Sequence, residues 1–151
     1  MKTFQFPLQR VLSWRAIQMR TEEEKLSALQ HKLAAIVARE KALADAELQK
    51  ERDLAKSPTL TGMDLQRFAA FQLRVRSEHA SLKASRIQCD AQIVEQRTRL
   101  LKARKEVRVL EKLREKRFET WTYLNDREVE TIAAEAYISK WARSDLEEGG
   151  V

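Results

Sequence analysis

Apolar residues in the first third of the chain return every three, then every four positions. Leu12, Met19, Leu26, Leu33 and Leu54 hold one position of a seven-residue repeat, and Leu8, Leu29, Ile36 and Leu43 hold the other. That spacing is the seam of a coiled coil. Pro7 suits the first position of a helix, where its missing N–H is no loss, and nothing after it breaks a helix before about Lys56. The pattern predicts a helix over 7–56. The strongest punctuation follows, at Ser57-Pro58-Thr59-Leu60-Thr61-Gly62. Pro58 disfavours helix for the residue before it. Thr61 offers an N-cap, and Asp64 puts negative charge into the next first turn. After this turn over 57–62 a longer helix is predicted over 63–144. Its seam reads Leu65, Phe68, Val75, Leu82, Cys89, Ile93, Leu100, Val107, Leu110, Trp121 and Leu124. Residues 145–151 read as a polar, frayed tail.

Two long amphipathic helices joined by a short turn run antiparallel and bury their stripes against each other. The expectation is all-α: one coiled-coil hairpin domain over 1–151, with the second helix longer and overhanging the first. A straight helix of ~50 residues is about 75 Å long, so such a hairpin is a rod without a globular core. The register has two solutions. One sets Leu12 against Leu110, Leu33 against Cys89 and Leu54 against Phe68; the other sets Leu8 against Val107 and Leu33 against Leu82.

Polar residues interrupt the seam at Arg15, Glu22, Glu40, Glu47, Lys50, Gln72, His79, Arg86, Gln96, Arg114 and Arg117. Such residues cost stability and fix register, or their long stems snorkel along a narrow seam. Beyond residues 108–115 the second helix has no cover from the first, yet it carries Phe118, Trp121, Tyr123, Leu124, Val129, Ile132, Tyr137, Ile138 and Trp141. An uncovered apolar stripe calls for a partner. The alternative is that the N-terminal segment, with Phe4, Phe6 and Trp14, folds back over part of it. The aromatics also avoid the middle of both helices: apart from Phe68 and Phe71 beside the turn, they lie before Arg15 or after Arg117. Aromatics are favoured binding anchors, so contact surfaces are expected at both ends.

Composition narrows the class. Three Gly and two Pro cannot punctuate the many short strands of a sandwich or barrel. One Cys excludes a disulfide scaffold and makes a reducing compartment the default. No apolar run approaches the roughly 20 residues that span a bilayer, and no signal-peptide core opens the chain. The charge is uneven. Over the whole chain 29 Lys+Arg oppose 23 Asp+Glu, a net +6. Residues 97–117 alone hold ten basic residues (Arg97, Arg99, Lys102, Arg104, Lys105, Arg108, Lys112, Arg114, Lys116 and Arg117) against Glu106, Glu111 and Glu115, a surplus of seven. This one-sided excess steers toward an acidic partner. Nucleic acid is the rival, but no aromatic interleaves these residues as a base-stacking surface requires.

No catalytic constellation is legible: there is no phosphate-binding Gly loop, HExxH, GxSxG or CxxC. His31 and His79 read as solvated or seam histidines, and Cys89 as a small seam residue. The chain is expected to be neither an enzyme nor a holder of cofactor or metal.

The opening Phe4-x-Phe6-x-Leu8-Gln9-x-Val11-Leu12-x-x-Arg15 resembles the start of FliJ-type flagellar export proteins. The segment Val109-Leu110-Glu111-Lys112-Leu113-Arg114-Glu115-Lys116-Arg117 resembles their late E-x-L-x-x-R segment. Glu128-Val129-Glu130-x-x-Ala133-x-Glu135-Ala136 is a looser version of their acidic C-terminal motif. The resemblance implies an antiparallel coiled-coil stalk similar to the central shaft of rotary ATP synthases. It implies three partners: the hexameric flagellar export ATPase, the cytoplasmic domain of the membrane export gate, and export chaperones. By the same analogy Arg104, Arg108, Arg114, Arg117, Trp121 and Leu124 meet the ATPase ring, while Phe68, Phe71, Val75 and Leu82 meet the gate. The location implied is cytoplasmic, at the inner face of the membrane, which is reached only through partner proteins. An injectisome-type secretion stalk shares this architecture, and a basic helical-hairpin arm gripping nucleic acid is the reading from another class.

Overall fold

Forty-eight residues free of Gly and Pro form the first helix, α1, Gln9–Lys56. The second, α2, Gly62–Glu148, is 87 residues long. This is a computed structural model; it describes residues 3–148, with side chains through residue 143. The fold is all-helical, a hairpin of two helices packed against each other with the second longer. No described helix is long and apolar enough to cross a membrane.

The helix ends follow from local chemistry. Pro7 does not open α1; it lies in a turn closed by the Gln9 N–H donating to the Phe6 carbonyl at 3.0 Å. The first full helical bond follows, from the Leu12 N–H to the Leu8 carbonyl at 2.9 Å. Phe6 is buried, so packing anchors this tight entry, and tight turns at a helix start are common. α1 ends where Pro58 cannot continue it. α2 opens on a reciprocal cap: the Asp64 N–H donates to the Thr61 hydroxyl oxygen at 3.2 Å, and the Thr61 N–H and O–H donate to the Asp64 carboxylate at 3.1 and 2.6 Å. This is a capping box with Asp in the acidic position. At its other end α2 runs to Glu148, past the predicted end at 144. Of the predicted tail, 149–151 lie outside the described residues.

The cap makes a pH prediction. The Thr61 bonds, with Arg67 nearby, hold the Asp64 carboxyl below its ordinary 3.8. A lowered carboxyl stabilises the fold above its unfolded value, and that contribution is lost as pH falls through the folded one. Asp64→Ala should therefore melt below wild type at pH 7, and the gap should close as pH falls beneath 3.8. Thermal melts of the two proteins between pH 7 and 2 measure it.

Packing divides the chain into two compact units, one holding residues up to Ala16 and from Lys105 onward, the other Ile17–Arg104. The core of the second is a cluster of Ile36, Cys89 and Ile93, with Leu26, Leu29, Leu33 and Leu82 packed against it. Leu43, Val75 and Leu100 extend the buried line. The Cys89 thiol donates to the Leu29 carbonyl at 3.4 Å, and the Gln96 amide donates to the Glu22 carbonyl at 3.1 Å. A helical carbonyl points toward the next turn, so these bonds set Cys89 and Gln96 beside Leu33 and Leu26. That selects the first of the two registers. Of the polar seam residues, Glu40 and Arg86 pair with each other across the helices at 2.8 Å, and beside the seam Arg39–Glu78 at 2.6 Å and Arg104–Glu23 at 3.0 Å make further cross-helix pairs. Exposed pairs of this kind contribute little each, and they fix alignment rather than strength. Gln96 is the buried exception. Its amide bonds the Glu22 carboxylate as well as the carbonyl, and Lys25 donates to the same carboxylate. The Lys25 bond, then that of Gln96, lowers the Glu22 carboxyl from its ordinary range.

In the other unit Phe6, Leu12 and Val107 are buried, and Arg15 pairs with Glu106 at 2.7 Å. Two predicted seam residues fall outside the packed line. Leu65 is 51% exposed, in the first turn of α2, where α1 has already ended; Leu124 is 58% exposed.

Candidate functional sites at the termini and at the turn

In the unit that holds both termini, Phe4 comes down on α2. Its ring meets that of Phe118 edge-on at 5.2 Å and lies 5.9 Å from that of Trp121, while Phe118 and Trp121 stack at 5.9 Å. Phe118 and Trp121 are three residues apart, one turn of helix, which puts both rings on one side. Each such aromatic contact is worth about 0.5–1.5 kcal/mol beyond the area it buries. The fold-back of the N-terminal segment over the start of the overhang is thus realised by Phe4. Trp14 takes no part in this cluster; it is exposed, with the Arg15 guanidinium 5.0 Å from its ring.

Phe4 separates two grooves. One, of about 770 Å³, is lined by Arg117, Thr120, Trp121 and Leu124 together with Thr3, Gln5 and Pro7. The other, of about 580 Å³, is lined by Arg108, Arg114 and Phe118 with Glu111 and Glu115. Five of the six residues expected to meet an ATPase ring therefore border one aromatic cluster. The sixth, Arg104, belongs to the other unit and is tied to Glu23. Arg108 reaches Glu111 at 3.6 Å. Arg114 and Arg117 are exposed and have no ion-pair partner among the described residues. A cation with no internal partner beside a stacked aromatic surface offers a charge and an apolar anchor together, which suits an acidic protein partner. Phe4 and Phe118 are not among those six. The sequence puts Phe118 on the overhang stripe and offers Phe4 as part of a fold-back over it, but no spacing tells which rings meet, because that depends on how the N-terminal segment returns.

Further along α2 the overhang stripe is open to solvent. Tyr123, Leu124, Val129, Ile132, Tyr137, Ile138 and Trp141 are all exposed.

The turn end, in the other unit, holds a third groove, of about 500 Å³. Leu54, Leu60, Phe68 and Phe71 form its apolar wall, and Lys50, Arg67, Arg74, Asp53 and Asp64 form its rim. The Lys50 ammonium lies 6.0 Å from the Phe71 ring. Phe68 and Phe71 are half-buried and reachable. Val75 is not. Only 3% exposed, it fills the seam against α1, and a partner could touch it only by parting the helices. Leu82 is likewise packed against the core cluster. These two expected gate contacts are therefore packing residues.

Among the described residues no group of three or more His, Cys, Asp and Glu could hold a metal ion. Cys89 is buried completely. Comparison with protein-family models, with curated proteins and with solved structures returns no match.

Proposed function

We propose that this chain is a non-enzymatic stalk of the flagellar protein-export apparatus, linking the hexameric export ATPase to the cytoplasmic domain of the membrane gate and binding export chaperones. The observation that carries the reading is a meeting of motifs. Two of the three sequence phrases that resemble the family, residues 4–15 and 109–117, lie about a hundred positions apart yet belong to one packed unit. There Phe4 seats on Phe118 and Trp121, and Arg15 on Glu106, leaving Arg114 and Arg117 to face outward. The ring would be met by Arg108, Arg114, Arg117, Trp121 and Leu124, and the gate by Phe68 and Phe71. The protein would act in the cytoplasm at the membrane's inner face, held there by its partners. A stalk changes a ring only through contacts that differ between the ring's states, and exposed cations beside aromatic anchors supply such contacts.

The gate assignment has its own test. Phe68→Ala with Phe71→Ala should weaken binding to the purified gate domain about tenfold or more, as loss of aromatic anchors does. Binding to the export ATPase should be unchanged. Isothermal titration against each partner, with a thermal melt as control, reads both. Unaltered gate binding by a folded variant would remove the turn end from the interface.

A further inference from the structure

The seam that α2 buries against α1 uses Val75, Leu82, Cys89 and Gln96, seven residues apart. Two positions away runs a second heptad, Leu73, Ala80, Ile87, Val94 and Leu101, with Ser77, Ala84, Ala91 and Thr98 between them. Residues two apart on a helix point to opposite sides, so this second seam faces away from α1. Every one of its nine members is exposed, Leu73, Ile87, Val94 and Leu101 among the large apolar ones. No charge interrupts it over 73–101. A hairpin needs one seam per helix; a second, with unbroken three-four spacing, is the signature of another helix.

The flanks say which helix. The positions bordering this stripe hold Arg74, Arg76, Lys83, Arg97, Lys102 and Arg104, the last already tied to Glu23, against Asp90 and Glu95 only. Pairing two such stripes antiparallel would set Arg74 and Arg76 against Lys102 and Arg104, like against like. The occupant must carry acidic flanks. The chain itself contains one: in the overhang, Leu124, Thr131 and Ile138 repeat at seven with Arg127 and Ala134 between, and the bordering positions hold Glu128, Glu130 and Glu135, an acidic excess over the single Arg127. Leu124, Tyr137 and Ile138 are exposed there.

We propose that the overhang of a second copy of this chain docks along the 73–101 stripe. The contact is heterologous, one surface on a different surface, with apolar seams meeting and basic flanks facing acidic ones. It rests on different observations from the export reading and shares only Leu124 with it. Sedimentation equilibrium of the full chain at low ionic strength should show a mass above the monomer that rises with protein concentration. The association should weaken with added salt, since the flanks are solvent-exposed and screened.

Two variants decide the matter. Ile87→Glu with Val94→Glu spoils the stripe, and Tyr137→Lys with Ile138→Lys spoils the overhang; all four positions are exposed, so far-UV circular dichroism should be unchanged. Each variant alone should be monomeric, its association about tenfold or more weaker than wild type. Mixed, they should associate again, because one retains the overhang and the other the stripe. A wild-type monomer throughout the concentration range would overturn the proposal. So would an overhang variant that still self-associates, which means stripe on stripe, or a stripe variant that does, which means overhang on overhang.

Discussion

Replacing Ile93 by Ala is expected to cost about 2–3 kcal/mol of unfolding free energy, the lower part of the range for a buried aliphatic truncated to Ala. The side chain is 5% exposed and sits with Ile36 and Cys89 in a buried cluster. Two helices offer one seam and no second layer, so the atoms removed there have no substitute. Ile87→Ala removes the same methylenes six residues away on the same helix. Ile87 is 62% exposed, and its loss should fall within about 0.5 kcal/mol, as for surface substitutions generally. Chemical denaturation of the two variants beside wild type measures the contrast. Equal costs would mean that the face carrying Cys89 and Ile93 is not where α1 packs.

That contrast also marks what the sequence makes legible. The three-four spacing of Leu12 through Leu54, answered by Val75 through Val107, is readable because a helix repeats its faces at fixed intervals. The turn is readable because Pro58 and Thr61 act locally. The extent of cover is not a local property. Leu65 carries the same spacing as Leu82, yet it is exposed because α1 stops before reaching it. The register was open for a related reason: a heptad slipped by one repeat looks the same, and only specific bonds, those of Cys89 to Leu29 and Gln96 to Glu22, break the tie. Following one seam also hides another. The 73–101 stripe is offset by two positions and is seen once the first seam is known to be filled.

At the two ends the resemblance implies contact residues by analogy with a stalk, and the structure sorts them by access. Val75 and Leu82 lie in the interhelix packing, while Phe68 and Phe71 stay reachable. Arg104 is engaged by Glu23, whereas Arg114 and Arg117 carry no ion pair among the described residues. Phe4, which no spacing rule ties to Phe118, proves to be the wedge between the two grooves.

The aromatic cluster and its two outward-facing arginines form the surface that we propose meets the export ATPase. Reversing both charges, Arg114→Glu with Arg117→Glu, should leave the fold intact, because neither guanidinium has an internal ion pair to lose and both side chains are exposed. The effect on a complementary acidic surface should be large. Each reversal replaces attraction by repulsion, and two together should weaken binding about tenfold to a hundredfold. Lys41→Glu with Arg52→Glu makes the same change in net charge at exposed positions of the other unit and serves as the control. The decisive measurement is the stimulation of ATP hydrolysis by the purified export ATPase as each protein is titrated in. Wild type and the control should stimulate hydrolysis, and the arginine variant should lose that stimulation over the same range. Stimulation by the arginine variant equal to wild type, or no binding of wild type to the ATPase at all, would contradict the proposal.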